Sequence, residues 1–471
     1  MRTPASITPR LAAALVVLGT ILLTGCSTVR PWQNEVATQE FLGATQDGTR
    51  TVEPPPSIVA LVSLSGGGAR AAAFGLGVLQ EMEATRFRWE NKPTTLLDHV
   101  SLISGVSGGS ILAAYYAAFG AEGLKDFEKE FLLTDIQGNF ISRALSPSTA
   151  YRLTSPWFGR SNALAEQLDE LYKGKTFGDV ARRQHAPELL ITATDLTTGA
   201  SFEFTQEQFR LICSDLSSVP LSFAVASSSS VPILLSPTTL RNYSADCPLQ
   251  KNSGVRRNRA NNSRTRHKRQ LIDESASSYL DAEQRPFIHL VDGGLADNLG
   301  VRQLLDRAVT SNSIEDSFRD APPGSIRTIA LIVVNSERDL AERIDQSDEI
   351  PSTGQVIDAL VFGAGSRSTL ETLAALHDNA SEWTKEINAL RGRQDSPFAA
   401  DAEIHVIPVS LRDVENRSVR HRLLQVPTAF TLPPEQVRQL VESGRATLRT
   451  FPAFQGLMSD LQQKSRAAAG D

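Results

Sequence analysis

Apolar runs and runs of helical spacing alternate along most of this chain. Residues 57–64 (SIVALVSL) are apolar on both faces, the pattern of a strand covered on both sides in a parallel sheet. Gly66-Gly67-Gly68 follows at once. Ala71, Phe74, Val78 and Met82 then recur at helical spacing and predict a helix over 69–83. A second unit repeats this order: a short strand at 100–103, the stretch Gly105-Val106-Ser107-Gly108-Gly109, and a helix over 110–119. Further strands are predicted at 188–192, 287–291 and 328–334. Strands alternating with helices predict an α/β fold, a three-layer α/β/α arrangement around a mainly parallel central sheet. Ligands in such sheets bind beyond the carboxyl ends of the strands. Both glycine motifs and the turn at Asp292 fall at that edge. The C-terminal third predicts a helix over 358–391, a strand over 402–409 and a helix over 433–448, with Val437, Leu440 and Val441 on one face.

Two segments break the pattern. The first is the N-terminus, where Arg2 and Arg10 precede an apolar run, Leu11 to Leu23, that ends in Leu23-Thr24-Gly25-Cys26. The run is too short to span a bilayer but suits a signal peptide. LTGC resembles the lipobox of bacterial lipoproteins, which implies cleavage before Cys26 and lipidation of that cysteine. Ser27, where an inner-membrane retention signal would place Asp, points to the outer membrane of the bacterial envelope. Residues 1–25 are then a lipoprotein signal peptide, and 26–56, ending in Glu53-Pro54-Pro55-Pro56, a lipidated cysteine and flexible tether. The second is 241–285. Within it, 251–270 carries Arg256, Arg257, Arg259, Arg264, Arg266, Lys268 and Arg269 among Asn and Ser, without apolar periodicity. It reads as a mobile surface insertion, either merely solvated or contacting anionic lipid headgroups. It lacks the interleaved aromatic residues of a nucleic-acid site. The domain reading is 57–335 as the catalytic domain, interrupted by this insertion, and 336–471 as a mixed α/β extension packed on the same domain.

Composition changes this picture little. The 471 residues are 41% hydrophobic with a formal net charge of −6, enough for a large core and no general signal for nucleic acid. Export leaves Cys213 and Cys247 besides Cys26, and two cysteines in an oxidising compartment predict a disulfide, with two free thiols as the alternative.

The candidate chemistry centres on Ser107. Gly105-x-Ser107-x-Gly109 between a strand and a helix suits a nucleophile elbow, where Gly105 and Gly109 let neighbouring backbone pass closely. Gly66-Gly67-Gly68 could present bare N–H groups to a developing oxyanion, with Arg70 adding positive charge. A nucleotide loop is disfavoured, because the run lacks both the P-loop lysine motif and GxGxxG. None of the seven histidines stands in a persuasive position to act as base. His289 falls within a strand and reads as a buried structural residue. Asp292, before Gly293-Gly294, is either a turn residue or a partly desolvated carboxylate able to act as base.

SLSGGGARAA, GVSGGS and VDGGLADNLGV, in this order, are similar to three signature blocks of the patatin-like phospholipase family. LITATDLTTG and ASSSSVP resemble two more. The resemblance covers about residues 57–310 and implies a patatin-like fold and a lipid acyl hydrolase. It implies a Ser107–Asp292 dyad without histidine, and an oxyanion hole of Gly66, Gly67, Gly68 and Arg70. It also implies an acyl-ester or phospholipid substrate and no metal or organic cofactor. Ala71 stands where the family usually has Gly, Ser65 where many members have Asp, and Ser228 in a block that often has Ala. A non-catalytic lipid-binding or scaffolding lipoprotein is the alternative. A serine peptidase lacks a histidine in context.

Overall fold

The computed structural model describes residues 27–38, 56–247, 270, 274–339 without 303, 307–312 and 319, and 348–470 without 353–354, 357–358 and 360–363. The signal peptide, Cys26, residues 39–55 and nearly all of the basic run 251–270 lie outside the described residues.

One sheet organises the chain. Its strands are β1 (Ile58–Leu64), β2 (Val100–Val106), β3 (Glu188–Asp195), β4 (Ser201–Glu203), β5 (Thr238–Arg241), β6 (Phe287–Asp292), β7 (Ile326–Asn335) and β8 (Phe398–Ser410). The order is β8-β7-β1-β2-β3-β6-β5, with β4 on β3. Pairs from β8 through β3 are parallel, whereas β4 and β6 run antiparallel to β3, and β5 antiparallel to β6. The helices that bear on the site are α1 (Gly68–Ala84), α2 (Gly108–Phe127), α3 (Arg160–Tyr172), α4 (Leu221–Ser228), α5 (Ala364–Leu390) and α6 (Pro434–Thr450). The three layers follow from strand alternation. Ala330, Ile332 and Val334 of β7 join one apolar core with Phe74 and Leu440. Ile329, Leu331 and Val333 face a second core with Trp383 and Ile387. α6 crosses α1 so closely that a Cβ on Gly77 would overlap the Val441 carbonyl, and one on Gly444 the Phe74 carbonyl. Among the described residues no helix is long and apolar enough to cross a membrane.

Three expectations change. Residues 27–38 are not a flexible tether. Asn34 is buried, its Nδ2 donates to Ser214 Oγ and to the Arg241 carbonyl, both at 2.9 Å, and its Oδ1 accepts from the Arg241 N–H at 2.8 Å. Trp32 packs on Phe223 with ring centroids 4.7 Å apart, and Ser27 N–H donates to Thr154 Oγ1 at 2.9 Å. The polar composition that suggested a tether is instead a set of hydrogen-bonding groups facing a polar seam. Similarly, the ends of the 241–285 insertion are held rather than mobile. Cys247 is bonded to Cys213, and Tyr279 OH donates to Asp195 Oδ2 at 2.8 Å. Arg285 pairs with the same fully buried Asp195. Lastly, His289 is exposed, because Ile288 and Leu290 take the inward positions of β6. Its Nδ1 lies 3.0 Å from Thr239 Oγ1 on the neighbouring strand.

Candidate active site

β2 ends at Val106, and the chain turns into α2 through Ser107, whose backbone is held at φ 49°, ψ −122°. A positive φ at a non-glycine residue of this kind stores roughly 1–3 kcal/mol and persists only where its surroundings enforce it. They do so here. Ser107 N–H donates to Ser228 Oγ at 2.8 Å, and that hydroxyl donates onward to the Thr192 carbonyl at 2.6 Å. The Ser107 carbonyl accepts from Ser110 N–H at 2.9 Å and from Ser110 Oγ at 2.6 Å. Neighbouring backbone is close enough to exclude side chains. A Cβ on Gly105 would sit 2.6 Å from Ser110 Cα, one on Gly108 would overlap the Gly68 backbone, and one on Gly109 the Leu64 carbonyl. The glycines therefore let α1, α2 and the ends of β1 and β2 meet.

Asp292 reaches the same point by a different route from the one the sequence suggests. It does not end a parallel strand. β6 runs antiparallel to β3, with Ala193 opposite Asp292 and Asp195 opposite Leu290. Since Val106 is level with Thr192, the last residue of β6 comes down beside Ser107. Ser107 Oγ donates to Asp292 Oδ2 at 2.9 Å, and Gly294 N–H donates to Oδ1 at 2.8 Å. Asp292 N–H is fixed by the Ser230 carbonyl at 2.9 Å, and its carbonyl accepts from Thr194 Oγ1 at 2.8 Å. Ser107 and Asp292 are each 7% exposed. Burial pushes the Asp292 carboxyl up to about 6. The Gly294 N–H and the Ser107 hydroxyl favour its ionised form and offset part of that rise. The carboxylate is thus ionised at neutral pH yet more basic than an exposed one.

The glycine loop supplies the opposite charge. Gly66 N–H donates to the Asn298 carbonyl at 3.0 Å and is already engaged. Gly67 and Gly68 adopt φ 142° and 61°, and among the described residues no acceptor meets their N–H groups. Gly68 abuts Gly108, whose N–H directly follows Ser107. α1 and α2 therefore begin side by side, and their N-termini present positive partial charge to the space over Ser107. Gly108 is a donor the sequence reading did not single out, although its place after the serine is the signal for it.

Arg70 supports this loop from behind. It is 2% exposed, and its Nε donates to the Ser336 carbonyl at 2.9 Å and its Nη1 to the Val426 carbonyl at 2.6 Å. A Cβ on Gly67 would lie 2.7 Å from Arg70 Nη2. Its charge backs the loop while its other donors tie in two distant segments. The Ala429 carbonyl accepts from Ala69 N–H at 2.7 Å, so the C-terminal region forms one wall of the site. No motif in 425–430 signals this. Ser65, the position often acidic in the resembling family, accepts from Ser336 N–H at 2.8 Å, and Ala71 is buried in α1. Among the described residues one group, Glu403, His405 and Asp460, has three ligand-type atoms close together. Lys464 Nζ lies 2.8 Å from Asp460 Oδ2, so a cation already meets this group, which joins the outermost strand to the C-terminal helix Pro452–Gly470.

A family model described as Patatin-like phospholipase matches residues 62–305, more than half of the chain. No curated protein sequence matches. Among solved structures, human GIVD cytosolic phospholipase A2 is 12% identical with a TM-score of 0.43, covering 91% of this chain and 63% of that one. The SpcU–ExoU complex from the type III secretion system of Pseudomonas aeruginosa is 14% identical with a TM-score of 0.23, covering 87% of this chain and 91% of that one. The chain thus spans 63% of the length of the human enzyme.

Proposed function

The chain belongs to the patatin-like phospholipase family, and on that premise we propose that it is a serine lipid acyl hydrolase of the phospholipase or lysophospholipase type. The observation that carries this reading is the 2.9 Å hydrogen bond from Ser107 Oγ to Asp292 Oδ2 at a strained strand-to-helix turn. In the first step Asp292 takes the Ser107 proton as Oγ attacks an ester carbonyl. The tetrahedral oxyanion is stabilised by the Gly67, Gly68 and Gly108 N–H groups and by the two helix N-termini. Its collapse forms the Ser107 acyl ester, and the proton on Asp292 passes to the departing alkoxide. Water then attacks the acyl-enzyme, with Asp292 taking its proton. The second collapse releases the fatty acid and returns the proton to Ser107.

Placement of the chain as an outer-membrane lipoprotein acylated at Cys26 belongs to the same proposal, supported by the Leu23–Cys26 sequence and the disulfide. Treatment with a fluorophosphonate ester, read by mass spectrometry, tests the chemistry. Covalent mass on Ser107 that falls sharply in Asp292→Asn is expected. Folded wild-type protein that takes up no adduct overturns the dyad.

A further inference from the structure

Ser27 packs against the 151–160 segment, and that segment is hydrogen-bonded to the turn at Ile233 that leads to the site. Ser27, directly after Cys26, is 1% exposed and bound to Thr154. Only one peptide link, about 3.8 Å between Cα atoms, separates it from the cysteine. Thr154 Oγ1 donates to the Tyr151 carbonyl at 2.7 Å, and Ser155 Oγ to the Val29 carbonyl at 2.7 Å. Beside them Tyr151 is 54% and Trp157 45% exposed, and the Arg30 guanidinium lies 4.0 Å from the Trp157 ring centroid. The face continues to the dyad through hydrogen bonds. Arg160 donates to the Ile233 carbonyl at 2.7 Å, Ser230 Oγ to Ser161 Oγ at 2.8 Å, and Asp292 N–H to the Ser230 carbonyl at 2.9 Å. Ile233 and Leu234 are 63% and 66% exposed, and Ile233 is held at φ 74°, a conformation that β-branched residues avoid. Two solvent-facing aliphatic side chains on a strained turn, next to a catalytic dyad, gain nothing in water.

We propose that Tyr151, Trp157, Ile233 and Leu234 form a docking face for a phospholipid bilayer, with Arg30 and Arg160 at headgroup level. Three observations favour a bilayer as the occupant. Ser27, held on this face, directly follows Cys26, which the Leu23–Cys26 sequence suggests is lipidated. Exposed arginines border the apolar side chains, matching anionic headgroups. Aromatic residues with one polar edge suit the membrane interface. The inference rests on the lipid-hydrolase reading and goes beyond it in one respect. A lipid on Cys26 would be a short leash rather than a long tether, so the enzyme faces the leaflet that carries its own anchor.

The test uses the full chain with vesicles of phosphatidylethanolamine and phosphatidylglycerol carrying brominated acyl chains. Trp157 emission, assigned by its loss in Trp157→Phe, is expected to be quenched. Leu234→Asp should return Trp157 quenching to near its level without vesicles even while the anchor holds the chain on them, and Arg30→Gln should lose the dependence of quenching on phosphatidylglycerol. Protein that floats with vesicles while Trp157 stays unquenched overturns the proposal, as does a dimer in solution that shields Trp157 without lipid. The readout is independent of turnover. A chain that docks but hydrolyses nothing removes the proposed function and keeps this face. One that hydrolyses a short soluble ester without Trp157 quenching does the reverse.

Discussion

Replacing Asp292 by asparagine should abolish activity and stabilise the fold at once. The side chain keeps its shape, and the new carbonyl can still accept from Gly294 N–H at the position of Oδ1. The buried negative charge disappears. Burial raises this carboxyl from 3.8 to about 6, and a shift of one unit corresponds to about 1.4 kcal/mol. The ionised form therefore costs the native state about 3 kcal/mol at pH 8, an order-of-magnitude figure. The sign follows from a pKa raised on folding: native Asp292 binds its proton more tightly than the unfolded chain does. The stability it contributes is present below the unfolded value near pH 4 and is lost as pH rises through about 6. Asp292→Asn should thus unfold at higher denaturant concentration than wild type at pH 8, by about 3 kcal/mol, and the gap should close between pH 6 and 4. The same substitution removes the proposed base, and a general base typically contributes about 10²–10⁴-fold. Wild-type kcat/KM on a short soluble ester should fall below pH 6 as Asp292 is protonated. Paired urea titrations across pH and ester kinetics measure both effects. A variant less stable than wild type at pH 8, or a gap independent of pH, would refute the argument that a desolvated carboxylate is the base.

Ser228→Ala leaves the Ser107 N–H and the Thr192 carbonyl buried without their partner. Chemical denaturation should show a loss of about 1–3 kcal/mol, and ester kinetics a fall in kcat with KM nearly unchanged, because the elbow loses its brace. Gly68→Ala drives a Cβ into the Ala429 carbonyl at φ 61°, so fluorophosphonate labelling of the folded variant should slow by at least about 10²-fold, as for loss of an oxyanion donor. Cys213→Ser with Cys247→Ser opens a bridge of sequence separation 34. Equilibrium unfolding should report a loss of about 3–4 kcal/mol on the chain-entropy account, and equal stability with and without the bridge would contradict it.

The strand-and-helix grammar of the core was readable from apolar spacing. Residues 57–64 and 328–334 are dominated by apolar residues on both faces because both faces of β1 and β7 are covered, and α1 and α6 carry the helical period of their packed faces. The tight turn at Ser107 and the glycine loop were readable for a related reason, since close backbone approach leaves glycine as the residue that fits. Other features had no such signature. The direction of β6 is set by pairing with β3, and nothing local in FIHLVD distinguishes a parallel from an antiparallel partner. His289 looked like a core residue because it lies inside an apolar strand, yet the alternation of β6 turns it outward while Ile288 and Leu290 face in. Asn34 looked like linker because its partners, Ser214 and Arg241, are about two hundred residues away in sequence.

What the sequence by itself determined is therefore the local chemistry: a serine on a glycine-bedded turn, a bare glycine loop, an aspartate after a strand, and a short apolar run that ends at Cys26. The tertiary structure alone decided how these meet. An antiparallel strand lowers Asp292 onto Ser107, the Ser228 hydroxyl holds the elbow, and Arg70 fastens the glycine loop to carbonyls of Ser336 and Val426. Such contacts join segments hundreds of residues apart through single hydrogen bonds. A single hydrogen bond leaves no periodicity in a sequence, whereas a buried face repeats its demand for apolar residues at every turn or alternate position.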